Sequence, residues 1–461
     1  MALESRNPAT GELLRQVPEM SAEKVDSALQ ISWDAFVEWR TTPMTERAEL
    51  VRSLAQSLRK NQADLAALAT MEVGKLIGES EGEVEKSALF SEYYADNAEH
   101  LLAPHRIVGG QWQNWIHYEP VGPILAVMPW NFPYVQVFRF APAALMAGNT
   151  VLLKHASNVP QCAIAIQDLF DEAGFPPGVF QSLLVEPSAV EAILTDDRVR
   201  GVTLTGSERA GSAVAGTAGK NLKRSVMELG GSDPFIVLED ADIERAVEAG
   251  ITSRFTNAGQ ACINAKRFIV VEEIAEEFEN RFVQAVEALR LGDPMDRATQ
   301  IASVAEPRFA RTLQQQVEDS VRAGAVQRTG EFLDQEPGTH IRPVVLTNID
   351  PTMRVFREET FGPVAVIMRV PDENAAVSAA NDSAYGLGAS VWTSDTERGQ
   401  RVAARIESGM VFVNSVVVSD ARLPFGGMKN SGYGRELGPW GLREFTEIKS
   451  IAVADPQGLG S

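Results

Sequence analysis

From about Trp115 onward the chain alternates short apolar runs with amphipathic helical stretches, and this alternation limits its fold more than any other feature. Thr150-Val-Leu-Leu153 precedes a helical segment from Ala163 to Ala173, and Gln181-Ser-Leu-Leu-Val185 and Gly201-Val-Thr-Leu-Thr205 follow. Runs this apolar have no polar face to show to water, so each must be covered on both sides. A repeated strand–helix unit achieves this as a parallel sheet between two layers of helices. A second α/β block starts near Pro234, with strands from Phe268 to Val271, Val364 to Met368 and Val411 to Val413 and a helix from Ile274 to Leu291. The first hundred residues differ: apolar residues at three- and four-residue spacing over Ala22 to Trp39 and Thr45 to Val73 predict helices that wrap a sheet. A chain of 461 residues with 44% hydrophobic content has material for two or three globular lobes.

Composition excludes several roles. Acidic residues outnumber basic ones 62 to 42, a net charge of −20, which disfavours nucleic acid or an anionic membrane as partner. No apolar stretch approaches the roughly 18 residues of a membrane span, and Met1-Ala-Leu-Glu-Ser-Arg6 lacks the basic and apolar regions of a signal peptide. Two cysteines in so long a chain argue for a reducing compartment, so a cytoplasmic location is expected.

Three residue groups carry the chemistry. Cys262 lies in Asn257-Ala-Gly-Gln-Ala-Cys-Ile-Asn-Ala-Lys-Arg267, where Gly259, Gln260 and Ala261 leave a thiol unhindered, and it is the candidate nucleophile. Cys162, inside the helix-like Gln161 to Phe170, reads as core packing. Glu228, in Met227-Glu-Leu-Gly-Gly-Ser-Asp-Pro234, sets a carboxylate beside a diglycine just before the apolar run Phe235-Ile-Val-Leu238. Asn131, in Pro129-Trp-Asn-Phe-Pro133, ends the run Ile124 to Met128 with an amide in a proline-bounded turn. Thiol, carboxylate and amide donor are the parts of acyl chemistry through a thioester. A dinucleotide fingerprint of the Gly-x-Gly-x-x-Gly type is missing, but the strand Val202 to Thr205 runs into Gly206-Ser207 and a helix-like segment reaching Ala218. Small residues there leave helix N-terminal N–H groups open to a phosphate.

On these motifs the chain resembles the aldehyde dehydrogenase superfamily, nearly end to end. The matching segments run from Asn7-Pro-Ala-Thr-Gly-Glu12 through Glu119-Pro-Val-Gly-Pro123, Pro129 to Pro133, Gly148 to Lys154, Leu204 to Ser207, Glu228 to Gly231 and the Cys262 cluster. They continue through Glu358-Glu-Thr-Phe-Gly-Pro363 and Pro424-Phe-Gly-Gly427 to Gly432-Tyr-Gly-Arg-Glu436. The resemblance implies an α/β fold with two Rossmann-type domains plus a small β oligomerisation element. Residues 1–106 and 120–233 would bind NAD or NADP, residues 234–435 would carry the nucleophile, and residues 107–119 and 446–458 would form the oligomerisation element of a homodimer or homotetramer.

It also implies roles. Cys262 would attack an aldehyde, Asn131 with the Cys262 backbone N–H would hold the oxyanion, and Glu228 would activate water against the thioester. Trp130, Lys154, Ser157, Gly206, Ser207, Leu229, Glu359 and Phe361 match cofactor-binding positions. Ser157 stands where many NAD-specific relatives have a glutamate that repels a 2′-phosphate, so both cofactors are expected, and His155 replaces the usual proline. No metal is implied. Phe140 stands where many relatives have a lysine that links the residues matching Glu228 and Glu436 in a proton relay, which leaves that relay incomplete. Arg139 matches the position of a carboxylate-binding arginine in succinate-semialdehyde dehydrogenases, and Ser419 a substrate-contacting serine. Their second arginine is Thr256 here, which Arg422 would replace if its loop points inward. The expected reaction is oxidation of succinate semialdehyde to succinate. The rivals are another short semialdehyde or aliphatic aldehyde, a CoA-acylating enzyme, and an inactive structural protein of the same fold.

Overall fold

A computed structural model describes residues 2–109, 112–333 and 340–454. Two large sheets organise it. The first has six strands, in the order Gly432–Tyr433, Arg224–Glu228, Gly201–Thr205, Pro123–Met128, Thr150–His155 and Phe180–Ser182; all but the two-residue edge strand are parallel. The chain enters in the middle at Pro123–Met128, builds one way through Thr150–His155 and Phe180–Ser182, then returns to build the other way. The carboxyl ends of Pro123–Met128 and Gly201–Thr205 therefore flank a switch point, where an open sheet leaves a crevice.

The second sheet has seven strands, in the order Val326–Phe332, Ile341–Thr347, Val364–Val370, Ala265–Val271, Asp233–Val237, Gly388–Trp392 and Met410–Val413, parallel except for Val326–Phe332. Central strands such as Asp233–Val237 and Ala265–Val271 are buried at every position, which is the two-sided covering their sequence demanded. Gly432–Tyr433 falls inside the stretch assigned from sequence to the second lobe, yet it pairs antiparallel with Arg224–Glu228. That strand covers an otherwise open edge of the first sheet, so the boundary at 435 is not a clean division.

The N-terminal region is helical over Ala22–Trp39, Met44–Lys60, Gln62–Val73 and Ile77–Leu101, after a hairpin of Ala2–Arg6 and Leu13–Pro18. The single helix expected from Thr45 to Val73 is broken at Asn61, whose side-chain amide donates to Ser57 O at 2.9 Å and Glu172 Oε2 at 2.8 Å. An amide that competes for backbone partners in this way ends a helix. A third sheet pairs Trp112–Pro120 antiparallel with His105–Ile107 and Thr446–Ala454. Residues 110–111 and 455–458 of the element expected there lie outside the described residues. Among the described residues no helix is long and apolar enough to cross a membrane.

Candidate active site

The chain leaves the first sheet at Glu228 and enters the second at Asp233, so Leu229-Gly-Gly-Ser232 joins the carboxyl edge of one sheet to the amino edge of the other. The two glycines permit a tight meeting. A Cβ on Gly230 would lie 2.4 Å from Glu359 Oε2, and one on Gly231 2.8 Å from the Cys262 carbonyl oxygen. Glu228, Cys262 and Glu359 are thereby drawn to one junction from three remote segments.

The Cys262 loop is strained and held. Asn257 and Ala258 (both φ 52°) and Gly259 (φ 77°) are left-handed in succession, and a side chain on Gly259 would strike the Gly362 carbonyl at 2.2 Å. Buried Arg254 fastens the turn, donating to Gly259 O at 3.4 Å, to Thr360 O at 2.9 Å and to Gly362 O. Asn131 is tied in from the first sheet: its Nδ2 donates to Gln260 O at 2.9 Å, and Asn257 Nδ2 donates to Asn131 O at 2.8 Å. Lys266, also buried, donates to Ala261 O at 3.0 Å and Cys262 O at 2.7 Å and pairs with Glu359 Oε1 at 3.1 Å. The second residue after Cys262, Asn264, donates to Thr256 O at 3.0 Å.

Protonation is set by burial. Desolvation pushes the Cys262 thiol up to about 11, against the pull of Arg139 and Lys266, so the resting group is a thiol and its proton must leave as it attacks. Burial, reinforced by the like charge of Glu436, also holds Glu228 well above the ordinary carboxylate range, with Arg139 and Arg435 opposing. Both Glu228 oxygens are buried without a hydrogen-bond partner. Arg139 pairs with Glu436. One guanidinium thus lies near two buried carboxylates, in ion-pair contact with Glu436 and acting on Glu228 through its charge. The Phe140 side chain meets Phe445 edge-on at 5.4 Å, as ordinary core packing. The arginine one residue earlier supplies the cation that the sequence lacks at position 140.

Four of the cofactor candidates, Trp130, Lys154, Ser157 and Gly206, line a cleft of about 1150 Å³ at the switch point, which Glu186 also borders; Ser207, Leu229, Glu359 and Phe361 do not line it. Ser207 caps the helix Glu208–Lys220 by accepting from Ala210 N at 3.3 Å. A Cβ on Gly206 would meet nothing nearer than Leu204 at 3.6 Å. That open space over a helix N-terminus suits a pyrophosphate. Leu229 instead packs inward on Gly211. Lys154 is desolvated to a pKa of about 8, opposed by Glu186. His155, which stands where a proline was expected, keeps the strand extended: its Nε2 bonds Pro133 O at 2.8 Å and its Nδ1 accepts from Ala156 N at 2.9 Å. Burial lowers it to about 4, so it is neutral. Phe361 meets Trp130 edge-on at 6.0 Å, while Glu359 rests on Lys266 and Gly231 N.

The substrate candidates divide. Arg139 is 3% exposed, bound through Nε to Glu436 and set 4.0 Å from the Phe425 ring, with Nη2 buried and unpartnered. It is a buried cation whose Nε is already engaged by Glu436. Arg422 is turned away: its side chain is 76% exposed and pairs with Asp420 at 2.6 Å, so it does not replace the missing arginine. The Thr256 hydroxyl is spent on Thr252 O at 2.7 Å, and Ser419 is partly buried in the loop beside Asp420. The sequence reading missed Lys86, a partly buried lysine on Ile77–Leu101 with no ion pair among the described residues. Burial, then the like charge of Arg139, holds it below its ordinary value, and Asp420 opposes. A lysine on the inner face of an amphipathic helix was the available signal. Lys266 and Glu186 were also missed: Lys266 closes the Cys262 segment but was given no role of its own, and Glu186 stands in no motif.

A family model described as aldehyde dehydrogenase family matches residues 1–451. The NADP(+) succinate-semialdehyde dehydrogenase of Deinococcus radiodurans is 44% identical, over 96% of this chain and 93% of that one. The NADP(+) succinate-semialdehyde dehydrogenase 1 of Mycobacterium ulcerans is 46% identical, over 98% and 100%. The crystal structure of succinic semialdehyde dehydrogenase from Streptococcus pyogenes in complex with NADP+ is 36% identical and superposes with a TM-score of 0.96, over 98% of this chain and 100% of that chain.

Proposed function

The chain belongs to the aldehyde dehydrogenase family, and on that premise we propose that it oxidises succinate semialdehyde to succinate, using NADP or NAD. The observation that carries the reading is the junction of Cys262, Glu228 and Asn131 beside a cleft of dinucleotide size, with buried Arg139 acting on Glu228 and Cys262 and partly buried Lys86 near Arg139. The names of relatives 44–46% identical support the substrate.

In this mechanism Glu228 first loses its proton to solvent, and the Cys262 sulfur then bonds to the aldehyde carbon as its proton passes to the Glu228 carboxylate. The second amide hydrogen of Asn131 and the backbone N–H of Cys262 stabilise the resulting oxyanion, a contact worth roughly 3 kcal/mol per donor. The nicotinamide, when bound, supplies the hydride acceptor. Gly206, Ser207, Lys154, Ser157 and Trp130 would hold the cofactor, with Leu229, Glu359 and Phe361 alongside. Once Glu228 has passed the cysteine proton to solvent it is a carboxylate again and takes a proton from the water that adds to the thioester; the carbon–sulfur bond breaks, the leaving thiolate takes that proton back, and the acid product loses its own proton to solvent. Arg139 offsets the carboxylate charge at Glu228 and Glu436; an arginine keeps its proton, so it stabilises a carboxylate without carrying a proton itself.

The same proposal assigns the first sheet to cofactor binding and the second to the nucleophile. It places the protein in the cytoplasm, supported by two free cysteines. It also makes the three-stranded sheet, with Trp112, Ile448 and Val453 exposed, the contact of a homodimer or homotetramer. The test of function is reduced-cofactor production from an aldehyde panel without CoA. A clear preference for succinate semialdehyde over butanal is expected; a strict CoA requirement, or no turnover of any aldehyde, sinks the reading.

A further inference from the structure

Ser157 leaves the adenine-ribose corner of the cleft without the carboxylate expected of an NAD-selective site, but the fold brings one back from elsewhere. Thr150–His155 and Phe180–Ser182 are adjacent parallel strands, so the turns after them open into the same crevice. Glu186 follows the second strand, lines the cleft with Lys154 and Ser157, and accepts a hydrogen bond from Ser157 Oγ at 2.9 Å. Its other carboxylate oxygen has no hydrogen bond among the described residues, and Lys154 makes no ion pair among them. Pro187, opening a short 3-10 turn, fixes the backbone after Glu186.

We propose that Glu186 is a cofactor-selecting residue, which accepts a hydrogen bond from the ribose of NAD and opposes the 2′-phosphate of NADP. The inference rests on the reading of this cleft as a dinucleotide site. A carboxylate accepts from neighbouring hydroxyls, whereas a phosphate in the same corner meets a like charge within a few ångströms. Lys154 attracts the phosphate and Glu186 repels it, so the pair sets an intermediate selectivity that neither residue produces alone. Ser157 adds no charge to this corner, and its hydroxyl donates to Glu186.

The test is binding rather than turnover. Dissociation constants for NAD and NADP are measured by calorimetry on the wild-type protein and on Glu186→Gln, which keeps an acceptor for Ser157 and removes the charge. Glu186→Ala serves as a second variant. The affinity ratio should move toward NADP by about tenfold in both, as expected for relief of one like-charge contact. An unchanged ratio, or a shift toward NAD, overturns the role of Glu186 while leaving the cofactor cleft intact. A wild-type protein that binds neither dinucleotide overturns the cleft assignment and Glu186 with it.

Discussion

Arg139 and Glu436, 297 positions apart in the chain, form a buried ion pair in which each side chain is 3% exposed. The pair stands beside Glu228, and the Arg139 charge also reaches Cys262. Removing the arginine strands two carboxylates away from water. Arg139→Leu should therefore destabilise the protein by about 3–5 kcal/mol and lower kcat for every aldehyde, charged or not. Adding Glu436→Gln should recover part of the stability. Urea unfolding with kinetics on succinate semialdehyde and butanal checks this; a loss confined to the acidic substrate would show that Arg139 reads substrate instead.

With Arg139 paired to Glu436 and Arg422 turned outward, Lys86, near both Arg139 and Asp420, is the cation proposed to meet a substrate carboxylate. Lys86→Met should raise KM for succinate semialdehyde by roughly ten- to a hundredfold, the worth of a charged hydrogen bond, and leave butanal unaffected. Arg422→Leu should change neither. Equal KM values for the acidic aldehyde in wild type and Lys86→Met would remove Lys86 from the site.

Cys262→Ala should abolish turnover while retaining cofactor binding, and Cys162→Ala, a change in a fully buried core residue, should keep most activity. Glu228→Gln should give a burst of reduced cofactor followed by slow deacylation. Because Asn264 stands two residues after Cys262, mild oxidation should produce no disulfide within the loop. Mass spectrometry that found Cys262 bonded to Cys162 would contradict this.

His155 makes stability depend on pH. Its pKa falls from an ordinary 6.5 to about 4 on burial, so the folded state resists a proton that the unfolded chain accepts. Its contribution is complete above pH 6.5 and is lost as pH falls toward 4, a change of about 3 kcal/mol. Denaturation midpoints between pH 7.5 and pH 4 should show a shallower decline in His155→Gln than in wild type.

Lys154, held near 8 by burial, is cationic below that value and neutral above it. Affinity for NADP should fall as pH rises through 8 to 10, while affinity for NAD changes little. Titrations at pH 7 and pH 9.5 decide the matter, and parallel behaviour of both cofactors would separate Lys154 from the 2′-phosphate.

Local sequence was enough to determine the parallel-sheet class, because strands such as Ala265–Val271 are apolar on both faces and admit few other coverings. It was also enough to single out Cys262, Glu228 and Asn131, whose chemistry sits in short segments with small or rigid neighbours. What it left open was decided by long-range pairing. No local pattern says that Arg139 will spend its charge on Glu436, that Glu186 will bond Ser157 from a neighbouring strand end, or that Arg422 will fold back on Asp420. The cost of burying a charge depends on which opposite charge arrives beside it. Only the tertiary arrangement brings those partners together, and so only it decides which cations remain free to meet a ligand.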